Sequence, residues 1–142
     1  MLGRKDYTQE ELDAATANIN SQLAAYRTLA KAVGASKDAK AAAALAAFEP
    51  LFFNNMTLVL DRLFVHRVRL VTGKDGNPVN EVELLADSLM NNAGVFRPGT
   101  VVKYIPEQAV TQLKEGDSIA LTVEEFEKLA QTYLADIEAK FR

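Results

Sequence analysis

Hydrophobic and polar positions along this chain recur with helical spacing in four places and with strand-like composition in one. The first helical pattern opens at Thr8, whose hydroxyl is placed to cap it, and Glu11 three residues on completes a capping box. Leu12, Ile19, Tyr26 and Val33 then recur at heptad spacing, with Ala15, Leu23, Leu29 and Ala30 widening the stripe. The spacing predicts one amphipathic helix of about 25 residues, ended by Gly34 as a left-handed C-cap. Its stripe suits an antiparallel hairpin with the next helix, or a dimer seam.

Ser36 is the next expected N-cap, with Asp38 in the first turn where the helix dipole favours it. The run KDAKAAAALAAFE is low in complexity yet strongly helical, because alanine is the best helix former. Pro50 predicts a kink or break between Glu49 and Leu51. Residues 51–73 form the most apolar stretch of the chain, and the helix is expected to continue to about Val71. On a helical projection Phe52, Phe53, Met56, Val59, Leu60, Leu63, Phe64, Leu70 and Val71 fill one arc. Asn54, Asn55, Asp61, Arg62, His66 and Arg69 fill the other, with Leu51, Leu58 and Val65 among them. A helix apolar nearly all round belongs inside a structure, so this is read as the central helix, carrying embedded polar groups.

Residues 73–78 are a turn cluster, with neither the Gly-Lys-Ser/Thr of a phosphate loop nor the acidic spacing of a calcium loop. Asn80 with Glu83 opens a third helix, buried along Val82, Leu85, Ala86, Leu89 and Met90, and Gly94 gives its exit near Asn92. Residues 101–105 and 118–121 are β-branched or apolar between turns and predict an antiparallel hairpin, with a short helical turn at Pro106. Residues 109–113 fit a strand or a helical turn equally well. Thr122 and Glu125 cap the last helix, whose buried face runs from Val123 through Phe126, Leu129 and Tyr133 to Phe141. The expected fold class is mainly α (α+β): a four-helix bundle-like single domain over residues 1–142, its second helix kinked at Pro50, with a small β hairpin before the C-terminal helix.

Composition narrows the chemistry. With 142 residues, 49% hydrophobic and 25% charged, the chain can bury a core of its own. It has no cysteine, which fits a cytoplasmic location and removes thiolate chemistry, and its first residues hold no apolar leader segment. A membrane span over residues 51–71 is disfavoured by its aspartate, arginines, histidine and asparagines. Net charge is −3, but Arg62, Arg67, Arg69 and Lys74 against Asp61 make one locally basic segment, with excess acid downstream. That distribution favours internal pairing over nucleic-acid binding.

Asn55, Arg62, His66 and Arg69, spaced by seven, four and three, would align on one face of a continuous helix and could hold a carboxylate or phosphate. The structural reading of the same residues is pairing with Glu81, Glu83, Asp87 or Asn91 on the third helix. Arg67 projects into the apolar arc, which marks it as a candidate interface residue. One histidine and no cysteine leave no two-histidine metal centre and no cysteine nucleophile within one chain, and no serine sits in a nucleophile elbow. The sequence therefore leads to a non-enzymatic, self-associating protein, expected as a homodimer with no cofactor or metal. The alternative is a small-molecule binder holding an anion on the polar stripe.

Overall fold

The computed structural model describes residues 3–142; Met1 and Leu2, part of the stretch read as holding no leader, lie outside them. Five helices follow one another: α1 (Gln9–Ser36), α2 (Ala39–Arg62), α3 (Arg69–Thr72), α4 (Pro78–Asn91) and α5 (Val123–Phe141). A 3-10 turn at Pro106–Gln108 lies in the long connection between α4 and α5. Helix α2 packs on α1, α4 and α5, and α5 also packs on α1, α3 and α4.

Helices α1 and α5 begin where their residues predict. Thr8 Oγ1 accepts from Glu11 N at 3.2 Å while Glu11 Oε2 accepts from Thr8 N at 2.8 Å. Thr122 and Glu125 repeat the exchange at 3.1 and 3.0 Å. The faces they fix are buried: Leu12, Ile19 and Tyr26 on α1, Phe126, Tyr133, Ile137 and Phe141 on α5. Helix α1 runs past Gly34 to Ser36, and Lys37 takes the left-handed C-cap at φ 55°. The cap of α2 is Asp38, not Ser36, its carboxylate accepting from Lys40 N and Ala41 N.

Helix α2 passes through Pro50 without a break. Ala46, whose carbonyl loses its partner there, is exposed, so water satisfies it. The helix stops at Arg62 rather than near Val71. Tertiary contacts hold residues 63–68 out of the helix. Tyr7 OH donates to Val65 O at 3.2 Å, Arg4 N to His66 O at 2.6 Å, and Val68 N to Arg4 O at 2.9 Å. His66 takes a left-handed φ of 66°, so the backbone turns at the residue expected to continue the face.

Helix α4 starts at Pro78 under an Asn77 cap, three residues before the expected start, with proline at N1 where its missing N–H is not needed. Its exit through Ala93 and Gly94, both at positive φ, falls where the sequence places it.

The expected β hairpin is absent: the described residues contain no strand, only isolated bridges. The pairing that forms joins Val95 to Ser118, with Phe96 N donating to Asp117 O at 2.8 Å and Ile119 N to Gly94 O at 2.8 Å. Residues 101–105 are engaged elsewhere, since Lys103 N donates to Lys74 O at 2.7 Å and Tyr104 OH to Leu113 O at 2.6 Å. Residues 109–113 are neither strand nor helix.

The core lies at one end of the α1–α2 hairpin. From residue 27 to residue 52 not one side chain is buried, and Tyr26 and Phe53 are the last and first core residues on either side. The hairpin therefore stands out from the core as an arm. Its base is braced by Glu49, which accepts from Tyr26 OH at 2.9 Å and from Val123 N at 2.8 Å, and by the Arg27–Glu127 ion pair.

Candidate binding surfaces around the central helix

Because α2 ends at Arg62, the four residues of the expected polar stripe do not share one helical face. Asn55 and Arg62 lie on α2, His66 on the connecting turn and Arg69 at the start of α3. The fold still brings three of them together: Arg62, His66 and Arg69 line a cleft of about 320 Å³ with Asp61, Arg67 and Glu83. Asn55 is exposed and outside it.

Most of the charge in that cleft is paired. Arg67 Nη2 lies 2.8 Å from Asp61 Oδ1 and 3.5 Å from Glu83 Oε2, and Arg69 binds the other oxygen of Glu83. Arg67 Nη1 also donates to Phe64 O at 2.8 Å. With 9% of its side chain exposed, Arg67 is satisfied inside its own chain, and the reason for expecting it at an interface disappears. Close by is the buried Tyr133 phenol, whose hydroxyl has no hydrogen-bond partner. Burial pushes its pKa up, against the opposing pull of Arg67.

Of the four expected partners on α4, only Glu83 pairs with these arginines. Asp87 accepts from Asn91 Nδ2 at 2.7 Å. Glu81 is fully buried and faces the other way, accepting from Val110 N, Thr111 N and Thr111 Oγ1 at 2.7–2.9 Å. It is a clamp for residues 109–111. Asn54 does similar work from α2, donating to Ile119 O at 2.7 Å and accepting from Leu121 N at 3.2 Å. Sequence reasoning missed both clamps. The Asn77-Pro78 pair, a cap followed by an N1 proline, is the signal that would have set the register of α4 and placed Glu81 in its buried first turn.

Among the described residues, two extended apolar surfaces lie in solvent. One is a groove of about 1030 Å³ between α2, α4 and residues 98–102, walled by Leu58, Val59, Leu63, Leu84, Met90 and Val101, with Arg62 and Asn80 also lining it. The other is a stripe on the arm and beyond, Ala44, Phe48, Leu51 and Asn55, at successive spacings of four, three and four residues, all exposed. Phe48 and Leu51 leave 44% and 64% of their surface in solvent. Phe48 stacks on Phe52 at 5.4 Å between centroids, and Phe52 on Tyr26 at 6.0 Å, so the arm's aromatic ladder ends in the open.

Both surfaces are apolar with a few charged or polar residues at their edges. Among the described residues no three His, Asp or Glu side chains gather as a metal site. Comparison of the chain with protein-family models, curated proteins and solved structures finds no match.

Proposed function

We propose that this is a non-enzymatic protein that works through protein contacts, beginning with a second copy of itself, on a bundle-like frame of long helices. The observation that carries the reading is the arm, two helices whose residues 27–52 include no fully buried side chain, with only Ala30, Leu45 and Phe52 packed partly against the core. A compact monomer of this mass exposes about 7,200 Å². The chain exposes 8279 Å². The difference, about 1,100 Å², is of the size each partner of a standard interface covers, about 800 Å².

The stripe also suits one geometry. Alternating spacings of three and four residues make a coiled-coil seam. In an antiparallel pairing of two α2 helices about a two-fold axis, Phe48 of one copy meets Leu51 of the other, and Ala44 meets Asn55. Large faces large, and small faces polar. Asn55 then has the role a single polar seam residue plays in fixing register. The alanines at 42–44, 46 and 47 let the second arm approach closely. A bilayer is the weaker occupant. Helix α2 is long and apolar enough to cross a membrane by length and composition. Yet its second half carries the core residues Phe53, Met56, Thr57 and Leu60, and the twelve or so residues before Leu51 reach about 18 Å against a hydrocarbon layer of about 30 Å.

The test is mass in solution. Light scattering of the intact chain is expected to give twice 15.5 kDa, and Phe48→Glu with Leu51→Glu to halve it while the helical circular-dichroism signal stays unchanged. A monomer at high micromolar concentration, or sedimentation with phosphatidylglycerol vesicles that the double variant abolishes, would contradict the reading.

A further inference from the structure

The α1 half of the arm carries a second seam. Ala25, Leu29 and Ala32, at spacings of four and three residues, are all exposed, and Leu29 leaves 47% of its surface in solvent. We infer that two copies join through the whole two-helix face of the arm, α1 as well as α2, and close into an antiparallel four-helix bundle with their cores at opposite ends. This rests on the self-association of the arm and names the residues that make it.

Both seams face the same side of the hairpin. Its inward positions are Tyr26, Ala30 and Val33 on α1 and Leu45, Glu49 and Phe52 on α2, each fully or partly buried. Every residue of Ala25, Leu29, Ala32 and of Ala44, Phe48, Leu51 stands one position before an inward one, a rotation of about 100° on its own helix. The two helices run in opposite directions, joined by Lys37 and Asp38 alone. Equal steps back along the chain therefore turn both seams toward one side of the pair.

The α2 seam by itself is short for a stable pairing. It spans residues 44–55, less than two heptads, where a two-stranded coiled coil takes about three or four. With α1 beside it the arm becomes a layer of two helices, and a second such layer completes a bundle. No residue of either seam is charged. The face holds nothing that selects a charged partner and nothing that repels a copy of itself.

One two-fold axis serves both seams. Across the hairpin Tyr26 donates to Glu49 at 2.9 Å and stacks on Phe52, which sets Ala25 and Leu29 level with Leu51 and Phe48. The midpoint of the first pair thus lies level with the midpoint of the second. An axis crossing both helices there sets α1 against α1 and α2 against α2, each antiparallel. Leu29 of one copy then meets Ala25 of the other, large against small, at the same level where Phe48 meets Leu51. An axis along the helices would instead stack α1 on α2 and put Leu29 beside Phe48 of the second copy.

The chain has no cysteine, so introduced cysteines report contacts without background. Full-length chains carrying Leu29→Cys, mixed with chains carrying Ala25→Cys and oxidised, are expected to give the mixed disulfide dimer, read by mass spectrometry of the linked peptides. Leu29→Cys mixed with Phe48→Cys should not. In sedimentation equilibrium Leu29→Glu should move the mass from twice 15.5 kDa to 15.5 kDa with an unchanged helical circular-dichroism signal. Leu29→Ala, which adds no charge, should weaken the dimer about tenfold, since each dimer loses two buried leucines. A Leu29→Glu chain that still pairs while Phe48→Glu/Leu51→Glu does not would leave self-association through α2 standing and overturn the two-helix face. Linkage of Leu29→Cys to Phe48→Cys instead of Ala25→Cys would overturn the opposite-end geometry, and a monomeric wild-type chain would overturn both the face and the self-association.

Discussion

Between residues 52 and 62 helix α2 buries Phe53, Met56, Thr57 and Leu60, while between residues 39 and 51 no side chain is fully buried and Leu45 alone packs partly against the core. One unbroken helix thus crosses from core to solvent, and Pro50 stands near the crossing. The difference lies in what surrounds each half. The second half is enclosed by α4, α5 and the α4–α5 connection, which Asn54 ties down, whereas the first half has the end of α1 beside it and meets α5 where Glu49 accepts from Val123 N. Composition follows the same division, with aromatic and branched side chains in the enclosed half and alanine in the free one. Alanine supplies helix stability without needing a core, so the arm can keep its shape without one.

This contrast can be broken from either side. The largest expected effect is in the enclosed half: Phe53→Ala should cost about 3–5 kcal/mol, against less than about 1 kcal/mol for Phe48→Ala, compared by urea unfolding of the monomeric form. Equal losses would mean that the arm is folded into the core. Next is Glu81→Ala, which strands the amides of Val110 and Thr111; a loss of about 3 kcal/mol is expected, with faster hydrogen exchange confined first to residues 109–113. Exchange that stays slow there would show that the clamp is dispensable. Arg67→Met should cost less, about 1–2 kcal/mol, because its partners Asp61 and Glu83 remain partly in water. No change in solution mass should accompany that substitution, and a shift to monomer would return Arg67 to the interface.

The smallest effect concerns pH. The Arg4 hydrogen bond, with the Thr8 amide behind it, lowers the Glu11 carboxyl from 4.5 to about 2. A group depressed in the folded state adds stability that is present above its unfolded value and lost as pH falls through the folded one. The loss therefore runs from about 4.5 down to about 2. Glu11→Gln should flatten that limb of an acid titration of stability. An unchanged limb would assign it to other carboxylates.

What could be read from the residues was local. Thr8 with Glu11, Thr122 with Glu125 and the α5 stripe each carry their signal within one or two turns, and the fold follows them. The end of α2 carries no such signal. Residues 63–68 contain neither glycine nor proline, and it is Tyr7 and Arg4, some sixty positions away, that pull them out of the helix. The alignment of Asn55, Arg62, His66 and Arg69 on one helical face went with it, since it required a helix that continued to Val71, although Arg62, His66 and Arg69 still line one cleft. The hairpin failed for a related reason. Residues 101–105 have strand composition, but their polar groups are taken by Lys74 and Leu113, partners no local window contains. Arg67 was legible as an anomaly and not as an answer: its partners Asp61 and Phe64 come within reach only after the chain turns.

Beyond its braced base, the arm is the part of the molecule its own chain covers least. Sedimentation equilibrium of the wild-type chain beside Phe48→Glu/Leu51→Glu tests its pairing most directly. The expected result is twice 15.5 kDa for the first and 15.5 kDa for the second, with equal helix content. A wild-type mass of 15.5 kDa throughout, or a double variant that still pairs, would contradict it.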